Sequence, residues 1–252
     1  MAKTILGYGA RVLREAVAAP TRYLLGTITH VSTEQPIAAL TFDDGPHPEY
    51  TPRLLEILER YRAHATFFMV GRAASQHQDL ICRMAKAGHT VANHSWDHAC
   101  FPLIPSSERR AQISACEKAI APYGNRFFRP PYGAQNVVSR LEALQMGYKV
   151  ITWNVDAGDW WEPDARRMAD RLAQQLRPGS IAVFHDALFD GGNPSHELKL
   201  AQQPKVSREP MLEALEIFLK RSGDKWSFVT IPDLLRYGIP QYENWYRRTG
   251  AG

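Results

Sequence analysis

Apolar residues in this chain fall into short dense blocks separated by longer stretches of helical periodicity. Residues 37–40 (Ile-Ala-Ala-Leu) form one such block and read as a buried strand. Leu54, Leu55, Leu58 and Tyr61 then recur at helical spacing, with Thr51 placed to cap that helix and Pro52 at its first position. Residues 65–70 (Ala-Thr-Phe-Phe-Met-Val) are a second strand block. A helical stretch over 73–87 follows and stops at Gly88, a residue suited to a helix C-terminus. Residues 89–93 read as a third strand. Beyond it come helix (106–121), strand (126–129), helix (136–146) and one strong strand over 148–155. Helix (164–176), strand (180–184), helix (209–221), strand (227–230) and a short helix from 232 complete the series. Seven strand–helix alternations predict an α/β fold on a parallel sheet, doubly wound or closed into a barrel.

The polar residues favour the barrel. Asp43 and Asp44 follow the first strand, His94 the third, and Arg129 ends the fourth. Asp156 and Asp159 follow the fifth and His185 the sixth. In α/β barrels the site is assembled at the carboxyl ends of several strands. The polypeptide of 252 residues is 44% hydrophobic, which suits one large globular domain and excludes disorder. A net charge of +4, with no run of Lys or Arg, gives nucleic-acid binding no support. Cys82, Cys100 and Cys116 are odd in number and lack Cys-x-x-Cys spacing, so neither a disulfide framework nor a zinc knuckle is indicated.

Residues 1–36 read as an N-terminal extension and 37–252 as the domain. No secretory signal is recognisable: Lys3, Arg11, Arg14, Glu15 and Arg22 break each apolar run too early. Residues 3–25 are a basic amphipathic segment, to be packed on the domain or laid on a membrane surface. The expected location is the cytoplasm or the membrane periphery, or outside the cell if a leader has been removed. The aromatic, basic tail Tyr242, Trp245, Tyr246, Arg247 and Arg248 reads as packing over the barrel.

Adjacent carboxylates at 43 and 44 are costly unless a cation compensates them, although Asp-Asp-Gly-Pro also suits a plain turn. His94 and His98, four residues apart, are structural in many chains. If their segment turns helically, both face one side. Two histidines with one carboxylate and an open position form a catalytic zinc set, and Asp44 is the third ligand that the pattern calls for.

Five ordered segments resemble a known family. Thr41-Phe42-Asp43-Asp44, His94-Ser95-x-x-His98, Arg129-Pro130-Pro131-Tyr132-Gly133, Asp156-Ala157-Gly158-Asp159-Trp160 and Val183-Phe184-His185 are similar to the motifs of the polysaccharide deacetylases. These are the NodB-homology domains of carbohydrate esterase family four, and the resemblance spans about residues 37–235. It implies a distorted, incompletely closed (β/α) barrel of about seven parallel strands and metal-dependent removal of acetyl groups from carbohydrate. By the same resemblance Asp44, His94 and His98 hold the metal. Zinc leads among the candidate ions, with Co, Ni, Mn or Fe as alternatives. Asp43 is the general base, with Arg129 orienting it. His185 is the general acid, with Asp159 behind it. The Tyr132 backbone N–H serves the oxyanion, and Trp160, with Trp161, walls the sugar groove. Asp156 has either a direct role or one in shaping its loop.

The polar stretch 186–209 departs from the family pattern and leaves the substrate open. An N-acetylated glycan such as chitooligosaccharide or peptidoglycan is the first expectation. A same-fold amidase or deformylase on a small N-acyl substrate or sugar lipid is the second. A catalytically silent glycan-binding module is the third.

Overall fold

In the computed structural model, residues 26–189 and 207–244 are described. The sequence-predicted segment 3–25, the middle of the 186–209 stretch and the tail beyond residue 244 lie outside them. Among the described residues, ten strands and eight helices of four residues or more matter here. They are β1 (Thr27–Ser32), β2 (Ile37–Asp43), α1 (Tyr50–Arg60), β3 (Ala65–Met69), α2 (Gly71–Gln76), α3 (Gln78–Lys86) and β4 (Thr90–Asn93). Next are α4 (Ser106–Ile120), β5 (Gly124–Phe128), α5 (Val137–Gln145), β6 (Lys149–Val150), β7 (Val155–Asp156), α6 (Ala165–Gln175) and β8 (Ile181–His185). The chain continues with α7 (Glu209–Ser222), a two-residue strand β9 (Ser227–Phe228) and α8 (Ile231–Leu234). The last strand among the described residues is β10 (Ile239–Glu243), which pairs with β1.

The main sheet is parallel and runs β6-β5-β4-β3-β2-β8-β7, with β9 added to β2. It curls into an incompletely closed barrel with helices outside, as the family resemblance implies. β2 lies at its centre, and all seven of its residues are buried. Alternation along a strand sends successive side chains to opposite faces. Ala38, Leu40 and Phe42 join the layer under the helices with Leu54, Leu58, Leu215 and Phe218. Ile37 and Ala39 pack inside the barrel with Phe68, Ala92, Ile151 and Ile181. The same inward parity carries Thr41 and then Asp43 to the carboxyl end. Phe42 packs against Phe67 and Phe184 at ring distances of 5.3 and 5.5 Å. A buried aromatic of this kind contributes roughly 1.5–3 kcal/mol of apolar burial.

Several predicted elements are drawn differently by the structure. The single strand expected over 148–155 is two, because its ends belong to opposite edges of the sheet. β6 pairs with β5 and β7 pairs with β8. Residues 151–154 cross the seam between those edges, donating from Ile151 N to Phe128 O, Thr152 N to Ile28 O and Asn154 N to Ile181 O. The helix expected over 73–87 breaks at His77, whose φ of −135° is not helical. Thr51 does not cap α1. It lies inside the helix, where it accepts from His47 N and donates to Asp186.

β1 and β10 had no counterpart in the sequence reading, and together they cover the seam. They pair antiparallel, while Ile28 bridges Ile151 and His30 bridges Ser180. Gly179, at φ +79°, comes so close that an added Cβ would stand 1.7 Å from the carbonyl oxygen of Val31. Among the described residues no helix is long and apolar enough to cross a membrane.

Candidate active site

At the carboxyl ends of these strands lies a cavity of about 240 Å³, lined in part by Asp43, Asp44, His94, His98, Tyr132, Trp160 and His185. A larger cleft of about 550 Å³ elsewhere, lined by Arg60, Arg62, His64 and Trp226, contains no comparable constellation. Asp43 is the last residue of β2 and stands in register with His185, the last of β8. Asp44 follows it with φ +74°, a left-handed conformation that turns its carboxylate away from its neighbour's direction. Gly45 is required at the next position, since a Cβ there would lie 2.4 Å from both Asp186 carboxylate oxygens.

His94 and His98 converge without a helix, contrary to the helical turn considered from sequence. Left-handed residues at Ser95 (φ +69°) and His98 (φ +65°) bend the chain. The bend is pinned from below: Asn93 Oδ1 accepts from Ser95 N, and Gln112 Oε1 accepts from Trp96 N and Asp97 N. His94 Nδ1 lies 2.7 Å from the carbonyl oxygen of Arg129. A carbonyl only accepts, so Nδ1 carries the proton and Nε2 presents its lone pair to the site.

Asp44 Oδ1 stands 3.4 Å from His94 Nε2 and 3.1 Å from His98 Nε2, and it accepts no hydrogen bond among the described residues. Its other oxygen accepts from Phe189 N at 3.0 Å. All three residues are buried, and one ligand atom from each lies within 4.8 Å of the others. Burial pushes the Asp44 carboxyl up, but His98, His94 and His185 outweigh it and hold the group well below the usual range. A buried carboxylate with an orphaned oxygen beside two imidazole nitrogens fits a divalent transition ion.

The other carboxylate has its own cation. Arg129 Nη1 donates to Asp43 Oδ1 at 2.6 Å and to Thr41 Oγ1 at 2.8 Å, while Nη2 donates to the carbonyl of Thr152. The guanidinium is wholly buried and lies 4.0 Å from the centre of the Phe68 ring. Burial alone works against its charge, and Asp43 opposes that loss.

Across the cavity Asp159 accepts from the backbone N of His185 at 2.8 Å and pairs with its Nδ1 at 3.0 Å. Burial favours the neutral imidazole. The charge and hydrogen bond of Asp159, then Asp44 and Asp43, outweigh burial and push the His185 pKa up to about 10. Tyr132, at φ +61°, sets its ring 4.4 Å from that of His98. Trp160 lines the cavity and Trp161 does not: it is half exposed under the Arg171 guanidinium. Asp156 lines the cavity as well, and its Oδ1 accepts from Gly158 N, so both alternatives considered for it from sequence have a structural basis.

Sequence reasoning missed three groups in this neighbourhood. Asp186 is fully buried, and its Oδ2 accepts from the Thr51 hydroxyl. Burial, with Asp44 and Asp43 nearby, pushes its carboxyl up to about 7 against the Thr51 hydrogen bond. Trp153 lines the cavity and also flanks Arg129. Arg208 contacts Asp159 from 49 residues away, and no local motif announces it. The adjacency of Asp186 to His185 was visible, but its burial was not.

The model of the polysaccharide deacetylase family matches residues 30–151. The chain is also 31% identical over 222 residues to a peptidoglycan-N-acetylglucosamine deacetylase of Bacillus cereus, covering 86% of this chain and 95% of that protein. This chain belongs to the polysaccharide deacetylase family. Another family member, a chitooligosaccharide deacetylase of Azorhizobium caulinodans, is 34% identical over 167 residues, which is 65% of this chain and 80% of the relative. Among solved structures, the Bc1960 peptidoglycan N-acetylglucosamine deacetylase superposes with a TM-score of 0.73 at 25% identity. That match covers 86% of this chain and 96% of the other.

Proposed function

We propose that this family member is a metal-dependent deacetylase of N-acetylated amino-sugar glycans, such as chitooligosaccharide or the peptidoglycan strand. The observation that carries the reading is a pair of opposed proton-handling groups flanking one ligand set. Asp43 is paired with Arg129 on one side, and His185 is backed by Asp159 on the other. A divalent ion bound by Asp44, His94 and His98 supplies Lewis acidity, polarising the acyl carbonyl and making water acidic enough to serve as a nucleophile.

Asp43 takes the proton of the attacking water. Its bond to Arg129 engages Oδ1 and leaves Oδ2 facing the imidazole of His94, 3.9 Å away. The carbonyl oxygen gains charge as carbon becomes tetrahedral, and the backbone N–H of Tyr132 is assigned to stabilise it. His185 then gives its Nε2 proton to the departing nitrogen, while Nδ1 stays bonded to Asp159. Amines leave poorly unless protonated, so an amide-cleaving site needs this second group. Trp160 offers an apolar face to the sugar ring.

The test is acetate release across a panel of N-acetylated oligosaccharides, peptidoglycan fragments and small N-acyl amides, with and without added zinc or cobalt. Turnover of the oligosaccharides that disappears on chelation and returns with metal is the expected result. Activity confined to small amides would move the substrate class to an amidase. Glycan binding with no acetate released from any substrate would mark a silent binding module.

A further inference from the structure

Each of the two catalytic carboxylates in the proposed reaction is backed by a buried arginine, and only one of these arginines belongs to a sequence motif. We infer that Arg208 is a positioning residue for the general acid: it pairs with Asp159 and holds it in place through the proton transfer, so that His185 can release its proton. This rests on the deacetylase reading above and extends it to the residue behind the acid pair.

Arg208 precedes α7, and its side chain is 3% exposed, against 0% for Asp159 and 19% for His185. Its Nη2 donates to the backbone carbonyl of Asp159 at 3.0 Å and its Nη1 reaches Asp159 Oδ2 at 3.4 Å. The same Oδ2 accepts the backbone N–H of His185, and Oδ1 faces His185 Nδ1. One carboxylate is thus gripped from two sides by groups distant in sequence.

The chemistry needs that grip. When the C–N bond breaks, its electron pair goes to nitrogen, the Nε2 proton of His185 follows, and the imidazolium becomes a neutral imidazole. Were His185 the sole counter-charge of Asp159, this step would strand a buried carboxylate, which is strongly unfavourable. Arg208 cannot lose its proton, so the Asp159–Arg208 pair remains neutral before and after transfer. Besides Asp159, the charged groups that act on His185 are Asp43 and Asp44 at the end of β2 and Asp156 at the end of β7, and of these Asp43 already has Arg129 as its partner. Arg208 is the cation placed to offset them on the Asp159 side.

The experiment compares wild type with Arg208→Gln and Arg208→Lys on two substrates in the zinc-loaded protein. One is an N-acetylated oligosaccharide, whose amine must be protonated to leave. The other is 4-nitrophenyl acetate, whose phenolate leaves without a proton. Arg208→Gln is expected to lower the first rate by roughly tenfold or more while leaving the second within about twofold. Arg208→Lys, which keeps the charge, is expected to recover much of the loss. A second readout needs no turnover: the His185 imidazole titration followed by NMR should move up by about one pH unit in Arg208→Gln.

Parallel losses on both substrates with an unmoved titration would overturn the inference and leave Arg208 a packing residue. If Arg208→Gln does not fold, Arg208→Met, which removes the charge but keeps an apolar stem of similar length, takes its place. A selective loss on the amide supports the role, and equal effects on both substrates overturn it. A wild-type protein that cleaves neither substrate would refute the deacetylase reading, whereas the titration would still report on Arg208.

Discussion

Asp43 and Asp44 are chain neighbours with opposite environments, and the division between them follows from their partners. Arg129 faces only the first, and two imidazoles face the second. Replacing Asp43 with Asn should reduce acetate release by roughly 10²–10⁴-fold while the metal content, measured by atomic emission, stays unchanged. Removing Arg129 is a different injury. Arg129→Met leaves Asp43 buried without its cation, at a cost of about 3–5 kcal/mol, so thermal unfolding should fall by about 10 °C. The His185–Asp159 pair gives a pH signature. Its folded pKa of about 10 exceeds the ordinary imidazole value of 6.5. The stability this pair adds is complete below pH 6.5 and is lost as pH rises toward 10. The difference in melting temperature between wild type and Asp159→Asn should therefore be largest near pH 6 and narrow toward pH 10. At this scale the sequence was informative because the motifs are local: Asp43, Asp44, His94, His98, Arg129, Tyr132, Asp159, Trp160 and His185 all surround or adjoin one cavity. Arg208 and the burial of Asp186 were not legible, since each depends on a contact made across the fold.

Elements were legible where a single strong period runs uninterrupted. The β2 block and the α1, α4, α5 and α6 patterns match their structures to within a few residues. Legibility failed where one apolar run serves two neighbours. Residues 148–155 look like one strand, but the chain uses them to leave one sheet edge and reach the other. β1 and β10 escaped notice because their residues are mixed in polarity and their pairing is long-range. The contact that seats β1 is sharp enough to test. Gly179→Ala would need both a left-handed alanine and room that the Val31 carbonyl occupies. A loss of at least about 2 kcal/mol is expected, seen as a melting temperature lower by about 5 °C. Activity per folded molecule should be retained, because the site lies at the opposite ends of the strands.

Across the whole molecule, the candidate ligand set joins the end of β2 to the bend after β4, so an ion bound there would link segments that are far apart in sequence. A ligand bound only by the folded state stabilises it by about 4 kcal/mol at a thousandfold excess over its dissociation constant. Chelation should therefore lower the melting temperature by on the order of 10 °C, and zinc should restore it. Asp44→Ala should abolish that response while the protein remains folded, because it removes one ligand and relieves a crowded buried carboxylate.

The pairing of β1 with β10 also bears on the order in which the chain is made. Thr27 sits opposite Glu243, and Ser32 opposite Ile239. The strand that covers the barrel seam thus leaves the ribosome about 200 residues ahead of its partner. At roughly 5–20 residues per second, the first strand waits on the order of 10–40 s for that partner. After Ile151 and Ser180 have joined its other side, β1 still offers an open strand edge, the kind of surface that pairs with other chains, until residues 239–243 arrive.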